Sequence, residues 1–174
     1  MGTQPTIRLV DDDFHAHAGR YITQCTLAVV AIGVVLLLLD TLTDTTIIAA
    51  LGASSFIAFA MPHKNISKSR YLIGGYLIGT LAGVLVHYVP YVPLISVLLA
   101  RYPHATNATL GALAVGLTIF LMVVTNTEHP PAAGLALGFV LNDWTYTTVL
   151  VVLIGIVTLA ALKRLLKPML IDLT

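Results

Sequence analysis

The sequence predicts an all-α fold, a polytopic membrane helical bundle of about six membrane segments in a lipid bilayer. Its mean hydropathy is +0.93, and 57% of its residues are hydrophobic whereas only 10% are charged. An ordinary soluble domain carries about 25% charged residues, so that class is excluded. The length of 174 residues suffices for about six helices of the roughly 20 residues that span a membrane.

The net charge and the cysteine content limit which partners and cofactors the protein can be expected to bind. The formal net charge of +1 argues against nucleic acid. The single cysteine, Cys25, has no metal-ligand spacing around it, and we expect no metal or other cofactor. Residues 1–20 form a polar segment whose acidic run, 11–13, suits neither a cleaved signal nor a transit peptide. We therefore expect a multi-pass protein of a prokaryotic cytoplasmic membrane.

Six mainly apolar segments follow one another along the chain. In order they are 21–39, a short helix near 45–61, then 71–89, 107–124, a short helix near 130–141, and 146–162. The second is interrupted by the small and polar run Gly52-Ala53-Ser54-Ser55. In the fifth, residues 131–141 extend only about 17 Å at 1.5 Å per residue, which is too short for a hydrocarbon core of roughly 30 Å.

The third segment contains three glycines, Gly75, Gly79 and Gly83, spaced four residues apart. They share one helix face, where another backbone can approach closely. This packing role is favoured over the lining of a narrow path. Because such a face can also pack between copies of the chain, a homo-oligomer is a further expectation.

Basic residues gather before the first segment, after the second and after the last. They are Arg8 and Arg20; Lys64, Lys68 and Arg70; and Lys163, Arg164 and Lys167. Cytoplasmic loops carry an excess of Lys and Arg, so we expect all three groups and both termini in the cytoplasm. This requires an even number of crossings. The turn with Asp40 and Asp44 and the connector with Arg101 then face outward.

The two halves of the chain resemble each other weakly. Residues 41–44, Thr-Leu-Thr-Asp, match residues 125–128, Thr-Asn-Thr-Glu, and a small, apolar helix follows each. Units of three elements would insert in opposite orientations and bring their middle elements together near the membrane centre. The expected transmembrane domain is 21–167, with repeat one at 21–90, a connector at 91–106, repeat two at 107–167 and a C-terminal tail at 168–174.

The polar run 125–134 is the most informative stretch, and it contains the only Glu of the chain. Pro130 and Pro131 forbid a continuing helix but suit the first turn of a new one. A helix that begins inside a membrane has unpaired N–H groups, which suit an anion. The predicted substrate-binding residues are Gly52, Ser54, Ser55, Asn126, Thr127, His129, Pro130, Pro131 and Ala132.

Glu128 and His129 each have two interpretations. An ionisable residue inside a membrane segment suggests function, and His129 titrates near neutral pH, so it could carry a proton with an anion. Alternatively, Glu128 caps the new helix while His129 bonds a neighbouring carbonyl.

These motifs resemble the HPP family of small integral membrane proteins, named for the sequence that is His129-Pro130-Pro131 here. The run 52–55, Arg70 with the double glycine 74–75, and the run 128–134 carry the resemblance. In that family His often follows the double glycine; Tyr76 stands here, which argues against a proton relay at that position. The resemblance implies a membrane protein of a family linked to nitrite transport in plant plastids and cyanobacteria.

The first functional hypothesis is therefore a transporter or channel for a small monovalent anion, with nitrite as the best candidate. The alternative is a non-transporting membrane anchor or assembly subunit whose polar break binds a partner helix. An intramembrane enzyme is the least favoured, since no nucleophile–base pair or metal-ligand set accompanies Glu128 and His129.

Overall fold

The computed structural model describes residues 12–38, 45–93, 95–96 and 103–173, with side chains described at 17–37, 46–93, 95–96 and 105–173. Over these ranges the chain forms six helices of 12 residues or more and no strand, which confirms the all-α class. They are α1 (Asp12–Leu38), α2 (Thr45–Ala60), α3 (Ser69–His87), α4 (Pro103–Thr125), α5 (Pro130–Leu141) and α6 (Tyr146–Leu166).

Four of the described helices are long and apolar enough to cross a membrane, at His17–Leu37, Ser69–Tyr91, Ala105–Thr125 and Tyr146–Met169. Two shorter apolar helices, Thr46–Ala60 and Pro130–Leu141, accompany them. The expectation of a multi-pass bundle with short second and fifth helices is thus confirmed.

At both ends of the chain a helix extends beyond the predicted apolar segment. Helix α1 begins at Asp12 and kinks at His17, so part of the predicted polar segment 1–20 is helical. Helix α6 continues to Leu166 and includes Lys163 and Arg164. Hydropathy locates only the part of a helix that lies in hydrocarbon, and it therefore missed both polar extensions. Residues 39–44 and Arg101 lie outside the described residues.

One end of the bundle carries all the basic residues in the described ranges, and we call it the basic end. It comprises Arg20, Lys64, Lys68, Arg70, Lys163, Arg164 and Lys167. Contacts between segment ends define it: Arg70 donates to the Thr125 carbonyl over 3.0 Å, and the Leu173 amide donates to the Ala60 carbonyl over 2.8 Å. Helices α2, α4 and α6 therefore end on the side where α1 and α3 begin.

Helix α5 lies inside the bundle, where it packs against α2, α3 and α4. It runs parallel to α3: His129 lies beside Gly75, Ala132 beside Gly79 and Ala136 beside Gly83. Only close approach of the two backbones produces such contacts. The start of α5 is thereby fixed next to the second turn of α3.

Candidate functional site

A defined turn separates α4 from α5. Asn126 adopts the left-handed conformation, with φ 53°, directly after α4 ends. The Asn126 amide donates to the Val123 carbonyl over 3.2 Å, and the Thr127 amide donates to the Met122 carbonyl over 2.9 Å. These are the two hydrogen bonds of a Schellman helix end. His129 is then extended, with φ −140° and ψ 94°, as residues before proline prefer.

The three glycines of α3 determine how deeply α5 sits. A Cβ at Gly75 would lie 2.5 Å from the His129 Cβ, and one at Gly83 would lie 2.8 Å from the Ala136 carbonyl oxygen. A Cβ at Gly79 would overlap the Ala132 carbonyl oxygen. Because α5 of the same chain occupies this glycine face, the face is not free to bind a second copy. The homo-oligomer stays a prediction, and the glycine face of α3 no longer supports it.

Three side chains from three helices meet beside the glycine contact, and we call Ser54, Tyr76 and His129 the polar cluster. The Ser54 Oγ atom lies 2.8 Å from the His129 Nε2 atom and 2.8 Å from the Tyr76 hydroxyl. It also lies 2.9 Å from the Ala50 carbonyl oxygen in its own helix. All three cluster residues have 0% of their surface exposed. The structure thus brings together Ser54 of α2 and His129 at the start of α5.

Only two of the nine predicted binding residues, Ser54 and His129, belong to the polar cluster, and Ser55, Gly52 and Thr127 are among the seven that do not. The Ser55 hydroxyl donates to the Leu51 carbonyl over 3.0 Å, as buried serines in helices often do. Gly52 is exposed, with nothing within 4 Å of an added Cβ. Thr127 is buried against Gly74. Successive positions on a helix point about 100° apart, so Ser54 alone of the run 52–55 can face His129.

The remaining predicted residues lie around the break, and the start of α5 offers few free donors. Asn126 is exposed and accepts a hydrogen bond from the Tyr71 hydroxyl over 3.0 Å. Pro130 and Pro131 have no N–H, and the Ala132 amide already donates to the His129 carbonyl over 2.9 Å. The Ala132 amide is thus already paired, and its part in an anion site stays a prediction. Side chains, rather than the helix end, supply the polar groups of this site.

Glu128 does not cap α5. His129 is the N-cap residue, and no side chain caps the helix there. The half-buried Glu128 instead lines a cavity of about 260 Å³ between α4 and α5, together with Met122 and His129. Of the two sequence interpretations of Glu128, the capping one is not seen in this structure.

Sequence reasoning missed a second buried polar contact, between Lys163 and Ser67. Lys163 was predicted to follow the last crossing, yet it is only 4% exposed. Its Nζ atom donates to the Ser67 carbonyl over 3.0 Å and to the Ser67 hydroxyl over 3.2 Å. This contact holds the loop at residues 61–68, which we call the α2–α3 loop. No local pattern distinguishes Lys163 from its exposed neighbour Arg164.

Sequence reasoning also passed over Tyr76, which it noted only as a departure from the usual histidine. A hydroxyl group in the middle of an apolar helix was the available signal. The tyrosine ring packs against the His129 ring, with centroids 5.7 Å apart. Tyr76 therefore contacts the His-Pro-Pro motif through its ring, and its hydroxyl forms a hydrogen bond with Ser54.

Comparisons with known proteins agree with this picture of a membrane bundle. The profile of the HPP transmembrane region matches residues 15–170, which confirms the resemblance noted in the sequence. A transmembrane protein of Dictyostelium discoideum is 33% identical over 91 residues, which make up 52% of this chain and 28% of that protein. The chain thus aligns with less than a third of that relative's length. No solved structure matches.

Proposed function

Because the chain belongs to the HPP transmembrane family, and because a buried polar cluster lies within its bundle, we propose that it transports a small monovalent anion, with nitrite as the first candidate. The cluster is the observation that carries the proposal. Ser54, Tyr76 and His129 have no exposed surface and sit among apolar helices. Polar and ionisable groups are expensive inside a membrane and mark solute or proton pathways by default.

The charge distribution supports an anionic solute. Arg20, Lys64, Lys68, Arg70 and Arg164 are exposed at the basic end. A surface of one charge sign raises the local concentration of ions of the opposite sign. We propose that the basic end faces the cytoplasm, with both termini there, in accordance with the positive-inside rule.

The pattern of helix packing supports the proposal of two inverted units, α1–α3 and α4–α6. The contact of α1 with α2 corresponds to that of α4 with α5, and the contact of α2 with α6 corresponds to that of α5 with α3. The contact of α1 with α6 likewise corresponds to that of α4 with α3. The middle helices α2 and α5 contact each other directly, through Ser54 and His129. Transporters built from inverted units bind their solutes at such an interface.

The test is nitrite uptake by purified protein in liposomes, compared with protein-free liposomes. His129→Ala removes the imidazole from the cluster, and we expect uptake to fall about tenfold or more, since a hydrogen bond to a charged group contributes about 1.5–3 kcal/mol. His63→Ala is the matched control, because His63 is exposed at the basic end and is not part of the cluster. Equal uptake by His129→Ala and wild type would refute the site.

The same assay separates transport from the anchor alternative. A panel of small anions and neutral solutes should show protein-dependent flux for nitrite and similar anions only. If no solute crosses faster than through protein-free liposomes, the non-transporting anchor becomes the better description.

A further inference from the structure

The contacts of Ser54 favour one assignment of the protons in the polar cluster. A serine hydroxyl has one hydrogen and two acceptor positions. The Ala50 carbonyl, 2.9 Å away, can only accept, so the Ser54 hydrogen points to it. Both acceptor positions of Ser54 then receive hydrogen bonds, one from the Tyr76 hydroxyl and one from the His129 Nε2–H group, each over 2.8 Å.

This assignment leaves the second ring nitrogen of His129 without a hydrogen. A neutral imidazole carries one N–H, and Ser54 holds it on Nε2. The Nδ1 atom is fully buried and forms no hydrogen bond within the part of the chain that the structure describes. Almost all buried polar atoms in proteins are paired, so an unpaired one requires an explanation.

We propose that the Nδ1 atom of His129 binds a proton that crosses the membrane together with each anion. The inference rests on the proposed transport function and identifies its coupling ion. A proton from one side forms the Nδ1–H bond, and the resulting imidazolium pairs with the anion. Loss of that proton to the other side breaks the bond and releases the anion, with no change of oxidation state.

The surroundings of the imidazole suit a proton that is bound only temporarily. Glu128 lines the same cavity as His129, and the Ile66 carbonyl of the α2–α3 loop lies near the ring, where it can accept a hydrogen bond from Nδ1 only once that atom has bound a proton. Helix α3 contributes the Tyr76 hydroxyl, and α4 contributes the uncharged Met122. On α6, Lys163 binds Ser67, next to Ile66.

An anion makes the protonated state favourable. A charged ring buried without an opposite charge is unstable in an apolar interior, whereas a paired one is tolerated. Moving the proton and the anion together also avoids carrying net charge through the bilayer. We therefore expect proton binding and anion binding to strengthen each other.

The test compares two driving forces for nitrite uptake in proteoliposomes, with uptake into protein-free liposomes subtracted because nitrous acid itself crosses lipid. We expect a pH gradient that is alkaline inside to accelerate the initial rate. A membrane potential set with potassium and valinomycin should leave the rate unchanged, since the coupled step is electroneutral. A one-unit pH gradient corresponds to about a tenfold concentration ratio of a proton-coupled anion at equilibrium.

Two variants isolate the Nδ1 atom. His129→Gln keeps an amide N–H for Ser54 but has no titrating nitrogen, so the remaining uptake should lose its response to pH and respond to membrane potential. Tyr76→Phe removes a different cluster group and keeps both imidazole nitrogens, so its slower uptake should still follow the pH gradient.

The outcomes separate the two proposals. Potential-driven uptake by the wild type, or unchanged pH drive in His129→Gln, would overturn proton coupling while leaving transport intact. Absence of any nitrite uptake would overturn the transport function and the coupling with it. A ¹⁵N NMR spectrum in detergent gives an independent check: the resonance lost in His129→Gln should show the neutral Nε2–H form, and an Nδ1–H form would contradict the assignment.

Discussion

Two of the buried polar sites within the described residues differ in how completely their atoms are paired. At the α2–α3 loop, the Lys163 ammonium donates to the carbonyl and to the hydroxyl oxygen of Ser67. In the polar cluster, the hydroxyls of Ser54 and Tyr76 and the Nε2 atom of His129 are paired, whereas Nδ1 is not. At the first site an ammonium group is paired with two neutral oxygens. At the second site the imidazole of His129 lacks a hydrogen bond at Nδ1.

Under the proposed function, this difference separates a structural role for Lys163 from a functional role for His129. A buried group whose hydrogen bonds are satisfied fixes the position of its partners, and Lys163 fixes Ser67 in the α2–α3 loop. A buried group left unpaired costs free energy, and the proposed proton binding accounts for that cost at the Nδ1 atom of His129. We therefore expect changes at Lys163 to affect stability most, and changes at His129 to affect transport most.

The largest effect on stability should come from the close contact between α3 and α5, which positions His129 in the polar cluster. In Gly79→Ala the new Cβ meets the Ala132 carbonyl oxygen, and overpacking of this kind costs about 1–3 kcal/mol. We expect the free energy of unfolding in detergent to fall by about 3 kcal/mol. Gly116→Ala is the control, because an added Cβ there has nothing within 4 Å. Equal stabilities would show that α3 and α5 are not in close contact.

A smaller loss should follow removal of the buried ammonium. Lys163→Met keeps much of the side-chain volume and loses both hydrogen bonds to Ser67, so we expect about 2 kcal/mol less stability. Arg164→Met, at the exposed neighbouring position, should change stability by about 0.5 kcal/mol or less. Nitrite uptake per folded Lys163→Met protein should fall far less than in His129→Ala. A loss as large as in His129→Ala would assign Lys163 to the solute path.

The smallest stability effect is expected at the edge of the polar cluster. Tyr76→Phe removes one donor to Ser54, and a single hydrogen bond contributes about 1 kcal/mol. Tyr146→Phe, at a tyrosine that is 79% exposed, serves as the control. Thermal unfolding in detergent measures both variants. A Tyr76→Phe protein as stable as Tyr146→Phe would mean that the Tyr76 hydroxyl is not paired with Ser54.

Much of the bundle could be predicted from the sequence because local chemistry decides it. Asn126 ends α4 and the double proline starts α5, and both effects depend on local backbone chemistry rather than on contacts with the rest of the chain. The approach of the run 52–55 to His129 was also predicted, from the weak internal repeat. Within that run, the sequence did not distinguish Ser54 from Ser55, because the choice depends on how α2 is rotated about its axis.

Composition determined that this protein is embedded in a membrane, since it has far fewer charged residues than a soluble domain, and the length of its apolar segments determined that it is helical. The tertiary structure decided which polar groups face one another. Helix rotation places Ser54 and Tyr76 at His129, and loop packing places Ser67 at Lys163. These contacts join residues far apart in the chain, so no local pattern of residues encodes them.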